Sequence, residues 1–147
     1  MKFENYMILE FPSRSCNEAF ARSAVACFAA QMDPTLEELG DIRTAVSEAV
    51  TNCIVHAYVG RRGEDCHVYI SARLYDNREI SIRISDNGCG IKEEEKKKIF
   101  MPNFTTKSSG MGVGLSIVYD ILETLGGNIS FESEVGKGSI FSINIKK

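Results

Sequence analysis

Apolar positions along this chain recur with two different periods. Residues 6–11, YMILEF, form a short apolar run that reads as an edge strand. Ser15 precedes Glu18 by three positions, the spacing of a capping box. Behind it Phe20, Ala21, Ala24, Val25, Phe28 and Met32 recur at helical intervals. Asp33-Pro34 ends that helix, because the residue before a proline is pushed out of the helical region. Thr35 and Glu38 repeat the capping-box spacing, and Gly40 is expected to bend or split the segment after it. From Asp41, the residues Ile42, Ala45, Val46, Ala49, Val50, Cys53, Ile54 and Ala57 mark one face of a helix closed by Gly60 and Gly63.

The period then falls to two. Val68, Ile70, Ala72 and Leu74 alternate with polar residues, and after a turn at Asp76-Asn77 so do Ile80, Ile82 and Ile84. Such alternation predicts an antiparallel hairpin with one buried face. A Gly-rich stretch and the charged run KEEEKKK (92–98) come next, the latter reading as a short solvated helix. Leu115, Val118, Ile121, Leu122 and Leu125 mark another helix, ended by Gly126-Gly127. Ile129 and Phe131, the turn Gly136-Lys137-Gly138, and then Phe141, Ile143 and Ile145 predict a last hairpin. This order of elements predicts an α+β fold: a two-layer α/β sandwich with three main helices on one face of a mixed, largely antiparallel sheet. At 147 residues the chain has the size of one domain, residues 1–147.

Composition narrows the classes. Hydrophobic residues are 44% and charged residues 25%, ordinary for a globular protein and not for a disordered or coiled-coil chain. Seventeen Lys and Arg against twenty Asp and Glu give a net charge of -3, so no basic surplus announces direct nucleic-acid binding. No apolar run reaches the roughly 18 residues of a membrane-spanning helix, and MKFENYMILEFP does not read as a secretory signal. Five scattered cysteines, without a C-x-x-C pair, read as reduced thiols of a cytoplasmic protein.

Three segments carry candidate chemistry. Glu48 and Asn52 lie one turn apart on one ridge of a helix, to the side of its apolar face. Such a pair can hold a hydrated Mg²⁺, its carboxylate can accept a proton from an attacking hydroxyl, or both can be a solvated helix edge. In DNGCGI (86–91), Asp86 shares the parity of Ile80, Ile82 and Ile84, so its carboxylate is expected on the buried side. A buried carboxylate needs a partner, and a ligand amine such as that of adenine would serve. Gly88 and Gly90 would then let backbone approach that ligand; a tight turn after a strand is the plain alternative. In GMGVGL (110–115), Gly110, Gly112 and Gly114 offer backbone N–H groups at a helix start, a phosphate seat. It matches neither the Walker P-loop nor the dinucleotide-binding fingerprint.

In this order, the segments resemble the GHKL superfamily, the Bergerat-fold ATP-binding domains of type II topoisomerases, histidine kinases, mismatch-repair proteins and anti-sigma serine kinases. EAVTNCIVHAY (48–58) resembles the N box, DNGCGI the first glycine box, GMGVGLSI (110–117) the second, and GKGSIF (136–141) the closing segment. The resemblance implies ATP and Mg²⁺ as cofactors. It implies Glu48 as catalytic base and Asn52 as the Mg²⁺ ligand. It further implies nucleotide contacts from Asn52, Asp86, Gly88, Gly90, Ile91, Gly110, Met111, Gly112, Val113, Gly114, Leu115 and Ser139. Residues 100–112 are expected to form a lid over the phosphates, hinged at Gly110 and Gly112, with Thr105, Thr106 and Lys107 near the γ-phosphate.

Residues 10–39 and 41–58 are most similar to the family of sporulation anti-sigma F factors, small serine kinases. That resemblance implies a sigma factor and a STAS-type anti-sigma antagonist as protein partners, the antagonist being the substrate. It also implies a homodimer built through the N-terminal strand and its neighbouring helix. Arg22 matches an Arg that contacts the partner and, lying off the Phe20–Ala24–Phe28 stripe, is expected to be exposed. The segment NFTTKSSGMGVGLSIVYDILETLGG (103–127) is shorter than that family's lid and resembles a histidine kinase catalytic domain, as does FMPNF (100–104). The alternative is therefore a detached histidine-kinase-type ATP-binding signalling module. Position 48 separates the two: histidine kinases generally carry Asn there, whereas an alcohol nucleophile needs a base such as Glu48. No helix pair with its own phosphoacceptor His is expected ahead of the domain, and His56 and His67 read as structural.

Overall fold

Alternation of apolar and polar residues builds the sheet. Val68, Ile70, Ala72 and Leu74, with Ile80, Ile82 and Ile84, are all buried, as a period of two with one covered face requires. The structure, a computed structural model, describes residues 3–55, 66–76, 78–99 and 114–147. Strands β1 (Phe3–Pro12), β2 (His67–Tyr75), β3 (Glu79–Asp86), β4 (Asn128–Glu134) and β5 (Gly138–Lys146) form one sheet. Their order is β1-β2-β3-β5-β4. All four pairings are antiparallel, so the sheet expected as mixed contains no parallel pair among the described strands. The run at 6–11 is, as expected, part of an edge strand.

Helices α1 (Asn17–Ala29), α2 (Leu36–Val55) and α4 (Gly114–Thr124) cover one face, and α3 (Glu93–Lys96) is a single exposed turn within the charged run. The helix α2 packs against α1, α4, β2 and β3. Small residues let the helices approach: Ala21 and Ala29 on α1 and Ala45 and Ala49 on α2 are all essentially inaccessible. Ile70, Ile80, Ile82, Ile84, Val46, Val50, Val118 and Leu122 complete the single core.

The two capping boxes have opposite outcomes. At α2 the box forms reciprocally: Thr35 N–H donates to Glu38 Oε1 (2.9 Å) and Glu38 N–H to Thr35 Oγ1 (3.1 Å). The Thr35 backbone N–H and then the Thr35 hydroxyl, both at its carboxylate, hold the Glu38 carboxyl below its ordinary pKa, with Lys147 adding to the effect. At α1 the expected box is absent; Cys16 is the cap residue and makes no side-chain cap bond, and Glu18 is turned to other partners. Gly40 does not split α2, which runs unbroken from Leu36 rather than from Asp41. Phe20 is 57% exposed, not part of the core stripe, because the buried face of α1 runs through Ala21, Val25, Phe28 and Ala29. Between the helices Asp33 adopts a left-handed conformation (φ 51°), a turn Asp tolerates, just ahead of Pro34. Past Thr124, Gly126 (φ +74°) closes α4: Gly127 N–H donates to Leu122 O (2.7 Å) and Gly126 N–H to Glu123 O (3.1 Å).

Candidate functional site

The helix α2 sets the first two site residues. Glu48 and Asn52 are both half-buried at the edge of its apolar face. The Asn52 side-chain amide donates to the Glu48 backbone carbonyl (2.9 Å), so its N–H₂ end is turned to the helix. The oxygen of that carboxamide is left as the ligating end, the donor type that Mg²⁺ prefers. Among the described residues no group of three or more His, Cys, Asp or Glu could hold a metal. With its N–H₂ end engaged, the Asn52 oxygen fits a cation bound through one or two protein oxygens and otherwise by water and phosphate.

The end of β3 sets the third. Asp86 is buried (7% exposed) and lies between Val68 on β2 and Ser139 on β5, on the side its parity dictates. Its Oδ1 accepts the Gly88 N–H (2.9 Å), a local turn that fixes the start of the loop. Cys53, one residue after Asn52, lies beside Asp86. Burial, and then the neighbouring carboxylate, push the Cys53 thiol well above its ordinary pKa, so it stays protonated. Through this contact the fold brings Asp86 beneath the helix that carries Glu48 and Asn52.

The loop after Asp86 is clamped to the β4–β5 hairpin. Ile91 N–H donates to Ser133 Oγ (2.7 Å), and Gly136 N–H donates to Cys89 O (2.8 Å). Ser133 Oγ also donates to Gly138 O (3.1 Å) and lies 2.9 Å from Ser139 Oγ. Gly90 makes room for the chain itself. A Cβ there would stand 2.2 Å from Glu134 O, and its φ is +75°. Gly138 (φ +112°) has the same reason, 2.1 Å from Asp86 O. Ser139 is buried opposite Asp86, with its hydroxyl against Ser133. No motif marks Ser133. Its only signal in the sequence is its place in an alternating strand opposite Ser139.

Gly114 opens α4, and Leu115 comes next, half-buried. The unpaired N–H groups of a helix start favour an anion. Thr105, Thr106, Lys107, Gly110, Met111, Gly112 and Val113, with the lid expected over 100–112, lie outside the described residues, as does His56. His67 opens β2, 3.7 Å from Glu10 and stacked on Tyr69, a structural setting.

Arg22 departs from expectation. It is half-buried rather than fully exposed, with its Nη1 3.1 Å from Glu18 Oε2. It lines a groove of about 350 Å³ between α1 and α2, together with Gly40, Arg43, Thr44, Ser47 and Glu48. The expected partner contact and the expected base thus face one space.

A family model described as histidine kinase-, DNA gyrase B-, and HSP90-like ATPase matches residues 38–147. Among solved structures, the catalytic domain of the histidine kinase ThkA aligns with a TM-score of 0.63 and 25% identity, over 96% of each chain. The histidine kinase domain of a blue-light activated kinase from Erythrobacter litoralis aligns with a TM-score of 0.62 and 22% identity, over 88% of this chain and 60% of that one. The fold is therefore the GHKL ATPase fold, and the chain belongs to this class of ATPases. Within the class it belongs to the anti-sigma F factor family. It is 45% identical over 140 residues to the anti-sigma F factor of Caldanaerobacter subterraneus subsp. tengcongensis, covering 95% of this chain and 92% of that one. It is also 45% identical over 141 residues to that of Clostridium botulinum, covering 93% and 91%. Among the described residues no helix is long and apolar enough to cross a membrane.

Proposed function

We propose that the chain binds Mg²⁺ and ATP and transfers the γ-phosphoryl group to a serine of a STAS-type anti-sigma antagonist, and that it binds and restrains a sigma factor. The observation that carries this reading is Glu48, a half-buried carboxylate one turn from Asn52 and lining the groove of about 350 Å³. A seryl hydroxyl docked in that groove would give its proton to Glu48 as its oxygen attacks the phosphorus and ADP departs, a role worth about 10²–10⁴-fold in rate. A phosphoacceptor histidine has no need of such a base.

The other residues have supporting parts in this reading. The Asn52 oxygen would hold Mg²⁺, whose charge, when bound, offsets that of the phosphate oxygens. Asp86, whose Oδ1 accepts the Gly88 N–H, would also accept a hydrogen bond from the adenine amine. The Ser133 clamp would hold Gly88, Gly90 and Ile91 in place around the base, with Ser139 behind them. Gly110 to Leu115 would seat the phosphates, Thr105, Thr106 and Lys107 would close over them, and Arg22 would take the partner. A homodimer through β1 and α1 is supported by three exposed apolar side chains on those elements: Tyr6 (57%), Ile8 (70%) and Phe20 (57%). A cytoplasmic setting goes with the same reading.

The test is to incubate the chain with radiolabelled ATP, Mg²⁺, and the sigma factor and STAS-type antagonist of the same genome. Acid-stable phosphate on a serine of the antagonist is the expected product. Acid-labile phosphate on a histidine of some other protein would replace this reading with that of a detached histidine-kinase-type module.

A further inference from the structure

The groove between α1 and α2 holds a chain of contacts that phosphoryl transfer by itself does not need. The Glu18 carboxylate sits between Arg22 Nη1, at 3.3 and 3.1 Å from its two oxygens, and the Ser47 hydroxyl of α2, which donates to Oε1 across the helix interface. A surface pair four residues apart on one helix leaves its arginine to sample many rotamers. This pair differs because its acid is tied to a second helix and is largely covered, at 19% exposure. Ser47 directly precedes Glu48 in α2, and Arg22, Ser47 and Glu48 all line the same groove.

We propose that Glu18 and Ser47 are positioning residues that hold Arg22 at the wall of the groove Glu48 also lines, so that partner capture and proton acceptance act on one docked segment. This rests on the reading of Arg22 as the partner contact. An arginine held in place before docking loses less freedom on binding than one ordered by the partner. Glu18 neutralises one positive charge in a groove that also has Arg43 on its wall. Net attraction alone would therefore favour its loss if the partner segment is acidic, whereas positioning requires its presence. The two alternatives predict opposite signs for a neutral substitution at position 18.

The experiment uses the full chain with the same STAS-type antagonist and sigma factor as probes. KM and kcat for the antagonist, Kd for the sigma factor and Kd for Mg·ATP are measured for Ser47→Ala, Ser47→Thr, Glu18→Gln and Arg22→Ala. Ser47→Ala and Glu18→Gln should each raise the antagonist KM by about tenfold, the scale of one lost charge-assisted hydrogen bond, with kcat and Mg·ATP affinity held. Ser47→Thr keeps the hydroxyl and should restore the wild-type KM, which a loss of packing would not explain. A wild-type KM in Ser47→Ala, no rescue by Ser47→Thr, or tighter partner binding in Glu18→Gln would overturn the proposal. If Arg22→Ala weakens partner binding while Ser47→Ala does not, positioning alone fails. If Arg22→Ala leaves both partners unaffected, or the wild-type chain neither transfers phosphate to serine nor binds the sigma factor, the underlying reading fails and the positioning role with it.

Discussion

In the proposed function a single side chain, Asn52, is oriented ahead of its ligand. Its amide is engaged by the Glu48 carbonyl one turn earlier, which frees the oxygen for a cation. Asn52→Ala keeps the helix, since alanine is a strong helix former, and should abolish Mg²⁺-dependent nucleotide binding in calorimetry while the melting curve survives. Unchanged Mg·ATP affinity in that variant would remove Asn52 from the metal site. Asp86 would work in that reading by the opposite device, a carboxylate kept almost out of water beside a protonated Cys53 thiol. Guanine offers a carbonyl where adenine offers an amine, so the Asp86 carboxylate would face a second acceptor instead of a donor. ATP should therefore bind about ten- to a hundredfold more tightly than GTP, and Asp86→Asn, which can donate to a carbonyl, should narrow the gap. Equal affinities of the wild-type chain for the two nucleotides would contradict the assignment.

At the scale of elements, α2 begins where its capping box closes, not where its apolar stripe begins, and that box is its acid-sensitive point. Glu38 ionises more readily in the folded chain than in the unfolded one because Thr35 donates to its carboxylate. Its contribution to stability is thus present above the ordinary glutamate pKa of 4.5 and is lost as pH falls through the lower folded-state value. Glu38→Gln, which can still complete a box, should flatten that part of the acid-melting profile, as tracked by circular dichroism. Thr35→Ala should lower the midpoint at neutral pH as well. Period and spacing in the sequence made β2, β3, β5 and α2 legible, because each buries one face and a slip would expose it. They were blind to α1's details. Ser15 and Glu18 have the same spacing as Thr35 and Glu38, yet Glu18 is drawn away by Arg22 and by Ser47, 29 residues later in the chain. No local pattern carries a contact of that separation, and the half-burial of Arg22 escaped for the same reason.

At the scale of the molecule, the strand order of the described residues leaves β1 at an edge of the sheet. The exposed Tyr6, Ile8 and Phe20 belong to the elements expected to pair two copies of the chain. Ile8→Asp would bury a charge without a partner there and should weaken self-association by more than about a hundredfold in sedimentation equilibrium. A wild-type chain that stays monomeric would contradict that arrangement. Of the candidate site, what was legible in the sequence is placement: Glu48 and Asn52 one turn apart on one helix, and Asp86 on the buried side of its strand. Ser133 was not, because a clamp between a loop and a hairpin turn leaves only a serine in an alternating strand. Gly90 has a second reason to be glycine that the sequence did not show, its close approach to Glu134. The functional reading turns on Glu48 as the base for transfer to an alcohol. Its direct measurement is single-turnover phosphoryl transfer to the STAS-type antagonist by the wild-type chain and by Glu48→Gln, with Mg·ATP affinity determined on the same samples. Unchanged ATP affinity and a transfer rate lower by about 10²–10⁴-fold are expected in Glu48→Gln. Transfer at the wild-type rate by Glu48→Gln would contradict that role.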